Sequence, residues 1–298
     1  MKVGVIDVGT NSCRMLAADC RDGVIEEIRR DLVITRLGEG VDQNGFLLDT
    51  AIERASSAIF AFVKEMDKLD VGKIRIIGTS VLRDVNNAES LVQRIKDETG
   101  CTLDIIPGRE EARLTYLGAG VSDPDTLIID IGGGSTEFIW QDNQGINFRS
   151  LDIGAVRLTE RFINNPQERV SNLEISLIER EVRELLNREI APIHIDKAVG
   201  LGGTITTIAA IEQEMGVYDS GKIEGYKISI GSLKKTINRL KEMSLKERKE
   251  VKGLQEERAD IIVAGAVILS VIMETLGLKD LYASEHDLLY GTVKDMIM

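Results

Sequence analysis

Two stretches, VGVIDVGTNSCRML at 3–16 and LIIDIGGGSTEF at 127–138, decide the fold. In each, an apolar run ends in Asp-x-Gly-x-x-Ser and a second apolar run follows. Asp7, Gly9 and Ser12 superpose on Asp130, Gly132 and Ser135 with a single offset of 123 residues. Short apolar runs bounded by turn residues read as buried strands. Two strand–turn–strand units at this separation predict an internal duplication: an α/β chain of two similar domains, each presenting one polar loop.

Strands and helices alternate on either side of these loops. Strands are expected at 3–6, 15–18, 74–77, 103–106, 127–129, 138–140 and 198–199, and helices at 50–69, 87–98, 109–119, 172–188, 204–214, 232–243, 256–276 and 285–297. The first helix begins with Thr50-Ala-Ile-Glu53, which has the spacing of a capping box. Its apolar positions Ile52, Ala55, Ile59, Phe62, Val63 and Met66 recur at helical spacing. Leu173, Leu177, Ile178, Val182 and Leu185 form the expected stripe of the helix at 172–188.

A length of 298 residues suggests two domains, and 43% apolar with 29% charged residues is an ordinary globular composition. Acids outnumber bases 49 to 37, a net charge of −12, which argues against a broad nucleic-acid surface. An anionic ligand must therefore be held locally. Cys13, Cys20 and Cys101 are odd in number and lack metal-site spacing, against a disulfide framework or zinc. The longest apolar run, residues 261–273, is too short to span a bilayer. The opening MKVGVIDVGT reads as the start of a strand rather than as a signal peptide. A soluble cytoplasmic protein with no membrane or nucleic-acid partner is expected. A homodimer would be ordinary, though no residue marks its interface.

The loops point to anion chemistry. A tight turn such as Asp7-x-Gly-Thr-Asn-Ser12 exposes successive backbone N–H groups, a nest for an anion. Thr10, Asn11 and Ser12 add short polar groups, and Arg14 could reach the same anion with its fork. Asp7 sits where Mg2+ or its water could bind. An ordinary hairpin remains the alternative. In the second loop Gly132, Gly133, Gly134 and Ser135 leave a path for a polyanion, with Asp130 and Glu137 as candidate metal ligands. The third, Gly200-Leu-Gly-Gly203-Thr204, would aim a helix N-terminus at its ligand. It lacks the dinucleotide fingerprint, and no P-loop occurs. No nucleophile arrangement competes: there is no G-x-S-x-G, and His194 and His286 stand in unrelated contexts.

These blocks, together with GTSVLRDVNNA (78–88), IIPGREEARLTYLG (105–118), GLGGTITTIA (200–209) and ERADIIVAGAVIL (257–269), resemble the exopolyphosphatase / guanosine pentaphosphate phosphohydrolase family of the actin-like ATPase superfamily. The resemblance covers nearly the whole chain in order. It implies two ribonuclease-H-like domains with a cleft between them, at 1–122 with 285–298 and at 123–284, and hinges near 120–125 and 280–285. It implies Mg2+-dependent hydrolysis of a phosphoanhydride in inorganic polyphosphate or pppGpp. The chain looks like the short form, without an additional C-terminal helical region. Where the family has Leu-Arg-Glu-Gly, this chain reads Ser284-Glu-His-Asp-Leu-Leu-Tyr-Gly291, which puts a phosphate contact there in doubt.

From the residues alone, Glu110 and Glu111 are acids favoured at a helix start. The resemblance makes Glu111 the catalytic glutamate that aligns water, and Arg83 the arginine that contacts phosphate. Arg109 and Arg113 would either extend a basic track or lie on a solvated face. An ATP-dependent kinase, with an adenosine pocket near Gly200–Thr204, and a sensor that binds without turnover are the rivals.

Overall fold

The computed structural model describes every residue except 22, 122, 124, 143–144, 191–194 and 196. The chain divides into two compact units, Met1–Gly120 with His286–Met298, and Val121–Glu285.

The first unit runs β1 (Lys2–Val8), β2 (Ser12–Arg21), β3 (Val24–Ile34), α1 (Val41–Asn44), α2 (Asp49–Lys68), β4 (Lys73–Gly78), α3 (Ser80–Asp84), α4 (Ala88–Thr99), β5 (Leu103–Ile105) and α5 (Gly108–Ala119). Its sheet has the order β3-β2-β1-β4-β5, antiparallel from β3 to β1 and parallel from β1 to β5. The second unit runs β6 (Thr126–Ile131), β7 (Thr136–Asp142), β8 (Gly145–Leu151), α6 (Ala155–Phe162), α7 (Asn172–Glu189), β9 (Lys197–Leu201), α8 (Gly202–Glu212), α9 (Ser220–Ile223), β10 (Lys227–Ser229), α10 (Ile230–Lys241), α11 (Leu245–Lys249), α12 (Ile262–Thr275) and β11 (Asp280–Ala283). The last helix, α13 (Leu288–Ile297), belongs to the first unit.

The second sheet has the order β10-β11-β9-β6-β7-β8. Numbered within its own unit, its β8-β7-β6-β9-β11 core repeats the first sheet, with β10 added antiparallel at the edge. Both units are thus ribonuclease-H-like. The repeat holds residue by residue. Asp7 pairs across its hairpin with Arg14, and Asp130 with Glu137. The Gly9 N–H donates to Ser12 O at 3.1 Å, and the Gly132 N–H to Ser135 O at 3.0 Å.

Period-two alternation places the first unit's side chains. Ile6, Val8, Met15 and Ala17 pack with α2 and α4. Val3, Val5, Leu16 and Ala18 pack on the other face with Leu114 of α5 and Leu288, Leu289 and Val293 of α13. Asp7 and Arg14 continue this second set. In the second unit, α12 is apolar on all sides and almost wholly buried, as befits a central core helix. Among the described residues no helix is long and apolar enough to cross a membrane.

Several local expectations need correction. The helix at 50–69 is capped by Leu48 without a side-chain bond, so Thr50 and Glu53 form no capping box. True capping boxes occur at Ser171/Glu174, Ser229/Ser232 and Ser244/Glu247. Leu173 is 70% exposed, and the buried stripe of α7 runs through Ile175, Ile178, Val182 and Leu186. The helix expected from 256 starts at Ile262, after a separate 3-10 turn at Glu256–Arg258. The last helix starts at Leu288, where the Asp287 side chain accepts the Leu289 N–H. The hinge expected near 120–125 includes residues 122 and 124, and His194 is also outside the described residues.

Candidate active site

In the first unit Asp7, Arg14, Arg83, Glu111 and Asp287 form a charged cluster in which the two aspartates are buried and the other three residues half-buried. Asp7 is only 4% exposed. Its Oδ2 accepts from Arg14 Nε at 3.0 Å and from Nη2 at 2.5 Å. Arg14 Nη1 donates to Asp287 Oδ2. Arg14, expected to fork a phosphate, is therefore directed at two carboxylates. Asp7 Oδ1 is buried and has no partner. Burial pushes the Asp7 carboxyl above its ordinary range, against the opposing pull of Arg14.

Glu111 lies in the first turn of α5, where Oε2 accepts from Arg83 Nη1 at 2.7 Å. The same Nη1 donates to Ile106 O at 2.9 Å, which fixes the guanidinium. Burial pushes the Glu111 carboxyl up; Arg83 pulls it down less strongly, and the charge of Asp7 pushes it further up. Glu110, one residue earlier, is set apart by its partners. Arg113 holds both its oxygens at 2.8 Å, reaches Asp295 at 2.6 Å, and lowers the Glu110 carboxyl. Arg113 is thus a structural ion-pair residue, while Arg109 is exposed.

The loop between β1 and β2 has its carbonyls pinned. Thr10 O accepts from the Gly38 N–H at 2.8 Å, and Asn11 O accepts from Thr35 and Arg36 N–H groups at 3.0 and 2.9 Å. Among the described residues the Thr10 and Asn11 amides have no acceptor, and the buried Asn11 Nδ2 has no partner. Thr10 Oγ1 lies 3.5 Å from Ser80 Oγ, and Ser12 is half-buried.

The glycine loop of the second unit repeats this device. Gly132 O accepts from Ala155 N at 3.0 Å, Gly133 O from Val156 and Arg157 N at 2.9 and 3.1 Å, and Gly134 O from Arg157 Nε at 2.7 Å. A Cβ on Gly154 would sit 2.2 Å from Gly133 O, so close backbone packing also demands glycine here. Among the described residues the Gly133, Gly134 and Ser135 amides have no acceptor. Glu137 Oε1 accepts from Ser135 Oγ at 2.6 Å and Ser150 Oγ at 2.7 Å. At the third loop, Gly202 adopts φ +85°, and a Cβ there would stand 2.4 Å from Asp130 Oδ1. Gly203 lies under the Arg258 guanidinium. Thr204 is buried against Gly265 of α12, which makes its side chain a packing element.

Comparison with known proteins now decides the family. Residues 16–297 match the profile of the Ppx/GppA phosphatase family. The chain belongs to the Ppx/GppA phosphatase family. It is 33% identical to exopolyphosphatase 2 of Mycobacterium tuberculosis, over 97% of each chain. It is 27% identical to the guanosine-5'-triphosphate,3'-diphosphate pyrophosphatase of Photobacterium profundum, over 98% of this chain and 58% of that one. The crystal structure of the Aquifex aeolicus family member matches with a TM-score of 0.82 and 30% identity, over 100% of this chain and 97% of that one.

Ppx/GppA phosphatases are generally dependent on a divalent metal. The donors here suit a hard cation. Asp130 and Glu137 are like charges directly opposite across a hairpin, a pairing that is unfavourable unless offset. Asp7 keeps one buried, unpartnered carboxylate oxygen. Among the described residues no group of three or more potential ligands forms. One or two carboxylates completed by water and phosphate oxygens is the usual environment of Mg2+.

Sequence reading of this Ppx/GppA chain missed Asp287, Ser150, Arg157 and Arg258. Asp287 gave no signal, because its partner Arg14 lies 273 residues away. Ser150 lies on β8, opposite Glu137. Arg157 and Arg258 answer to glycines at 134 and 203, a clue only once the loops are folded. His286 stacks edge-on to Tyr290 at 4.5 Å.

The raised Glu111 carboxyl has a stability consequence. Below the ordinary carboxylate range both folded and unfolded chains hold this proton, so it contributes no difference. As pH rises, the unfolded chain ionises first, and stability falls until Glu111 also ionises in the folded chain. Glu111→Gln removes that penalty. Its melting temperature should gain on the wild type between pH 4 and pH 8, with the gap closing toward the acid end. Thermal melts across that range check this.

Proposed function

We propose that this chain is a Mg2+-dependent exopolyphosphatase that releases terminal orthophosphate from inorganic polyphosphate. The observation that carries the reading is Glu111, a half-buried carboxylate with raised proton affinity, held by Arg83 in the first turn of α5. The likeness to a curated exopolyphosphatase over 97% of both chains supports it.

In this mechanism Glu111 accepts a proton from a water as its oxygen bonds to the terminal phosphorus. The bridging P–O bond breaks, and its electron pair leaves on the shortened chain. Phosphoryl transfer needs alignment and charge stabilisation more than covalent help. Arg83 offsets charge on the transferred group. The amides of Thr10 and Asn11, with Asn11 Nδ2 and Ser12, bind phosphate oxygens in the first unit. The amides of Gly133, Gly134 and Ser135, with Gly203 and the charge of Arg258, do so in the second. In the first unit, taken by itself, Asp7 is the carboxylate that would hold a divalent cation such as Mg2+; Asp130 and Glu137 are the corresponding pair within the second unit. Bound Mg2+ would neutralise phosphate charge. The three cysteines are free, in keeping with a reducing cytoplasmic setting.

Arg83→Gln should lower kcat by roughly 10²–10³-fold, the usual cost of one preorganised donor to developing charge. KM should move much less, and steady-state kinetics on polyphosphate separate the two.

A second substrate, pppGpp, carries the same terminal bond. The relative from Photobacterium profundum named for that activity favours it, although this chain spans only 58% of that protein. Orthophosphate release from long polyphosphate, pppGpp and ATP, compared by kcat/KM with Mg2+, tests the proposal. The highest value for polyphosphate supports it, and the highest for pppGpp changes the substrate but not the chemistry. Tight binding without release from any of them leaves a sensor.

A further inference from the structure

We propose that Asp287 is a positioning residue that acts on Asp7 through Arg14, a role that rests on the phosphohydrolase reading above. A guanidinium facing one carboxylate alone tends to engage both oxygens side by side. Here Nε and Nη2 of Arg14 both go to Asp7 Oδ2, while Nη1 is drawn to Asp287 Oδ2. The division leaves Asp7 Oδ1 buried and unpartnered, available to a cation or its water.

Asp287 is well placed for this work because everything around it is fixed. The residue is 5% exposed, and its Oδ1 accepts the Leu289 N–H at 3.0 Å as the cap of α13. Its carbonyl accepts the Gly291 N–H at 3.0 Å and packs so closely on Gly118 that a Cβ there would lie 2.0 Å away. Gly118 belongs to α5, the helix that carries Glu111. One residue thereby ties the start of α13 to the Glu111 helix and to the Arg14–Asp7 pair. The segment that departs from the family's Leu-Arg-Glu-Gly pattern thus reaches the site through Arg14.

Asp287→Asn separates this role from capping, since asparagine caps as well as aspartate but carries no charge to share Arg14. With Arg14 released to both Asp7 oxygens, Asp287→Asn should retain a melting temperature near the wild type. It should lose roughly 10–100-fold in kcat, the scale of small misplacements at a reacting centre, with KM for polyphosphate nearly unchanged. Titration calorimetry of Mg2+ into the substrate-free protein should show weakened binding. In an Arg14→Gln background, adding Asp287→Asn should cause no further loss. Wild-type kcat and Mg2+ affinity in Asp287→Asn would overturn the role, and so would an equal loss in the Arg14→Gln background, which marks a purely structural residue. A wild type that releases no orthophosphate sinks the activity reading instead, and calorimetry then still reports whether Asp287 controls Asp7.

Discussion

Glu111→Gln should lower orthophosphate release from polyphosphate by ~10²–10⁴-fold, the range expected for loss of a positioned general base. Glutamine retains an oxygen for Arg83, so the 2.7 Å contact and the fold survive while the proton acceptor is lost. Polyphosphate binding should therefore persist. The acid limb of the wild-type rate should lie above the ordinary carboxylate range, because burial holds the Glu111 proton. Activity should fall as pH drops through that raised value, and the residual rate of the variant should lack this limb. Glu110→Gln is the control. Its carboxylate is held by Arg113, away from Arg83, and its loss should cost little activity.

Gly291→Val should be the most damaging single change outside the charged cluster. A Cβ at 291 would lie 1.7 Å from Leu114 O and 2.9 Å from Gly118 N, and both are backbone atoms. No rotamer relieves such a clash, so α13 and α5 must separate. Overpacking costs typically 1–3 kcal/mol, and a backbone clash of this depth belongs at or above the top of that range. At about 3 kcal/mol the melting temperature falls by roughly 6–12 °C. Because α5 carries Glu111 and α13 begins at Asp287, activity should fall by more than the unfolded fraction explains. Gly277→Ala, where a Cβ would meet nothing within 4 Å, is a control at a surface turn. Its cost should be limited to the strain of its φ of +69°.

The two hairpins were legible because strand, glycine turn and strand recur at one offset. The same register carries Asp7 opposite Arg14 and Asp130 opposite Glu137. The edge strands β3 and β8 were not legible. VIEEIRRDLVI has no fully buried residue, and GINFRSL has only Leu151 buried, so neither shows an apolar alternation. Thr50 and Glu53 had capping-box spacing, yet the helix begins one residue earlier and leaves Thr50 inside its first turn. In the site, Glu111 and Arg83 came from motif resemblance. The resemblance chose Glu111 over Glu110, and in the structure the two differ in their partners, Arg83 for Glu111 and Arg113 for Glu110. Arg14 was read as a phosphate fork because Asp287, which shares it, is remote in sequence. The three glycines at 132–134 suggested a polyanion path, but packing on Gly154 accounts for part of that run.

The central claim is that water attacks the terminal phosphoryl group while Glu111 takes its proton. Hydrolysis of long polyphosphate in oxygen-18 water with Mg2+ tests it most directly. The account predicts that the label appears in the released orthophosphate, that chains shorten from their ends, and that both signals vanish in Glu111→Gln. Unlabelled orthophosphate, mid-length fragments as early products, or undiminished release by Glu111→Gln would contradict it.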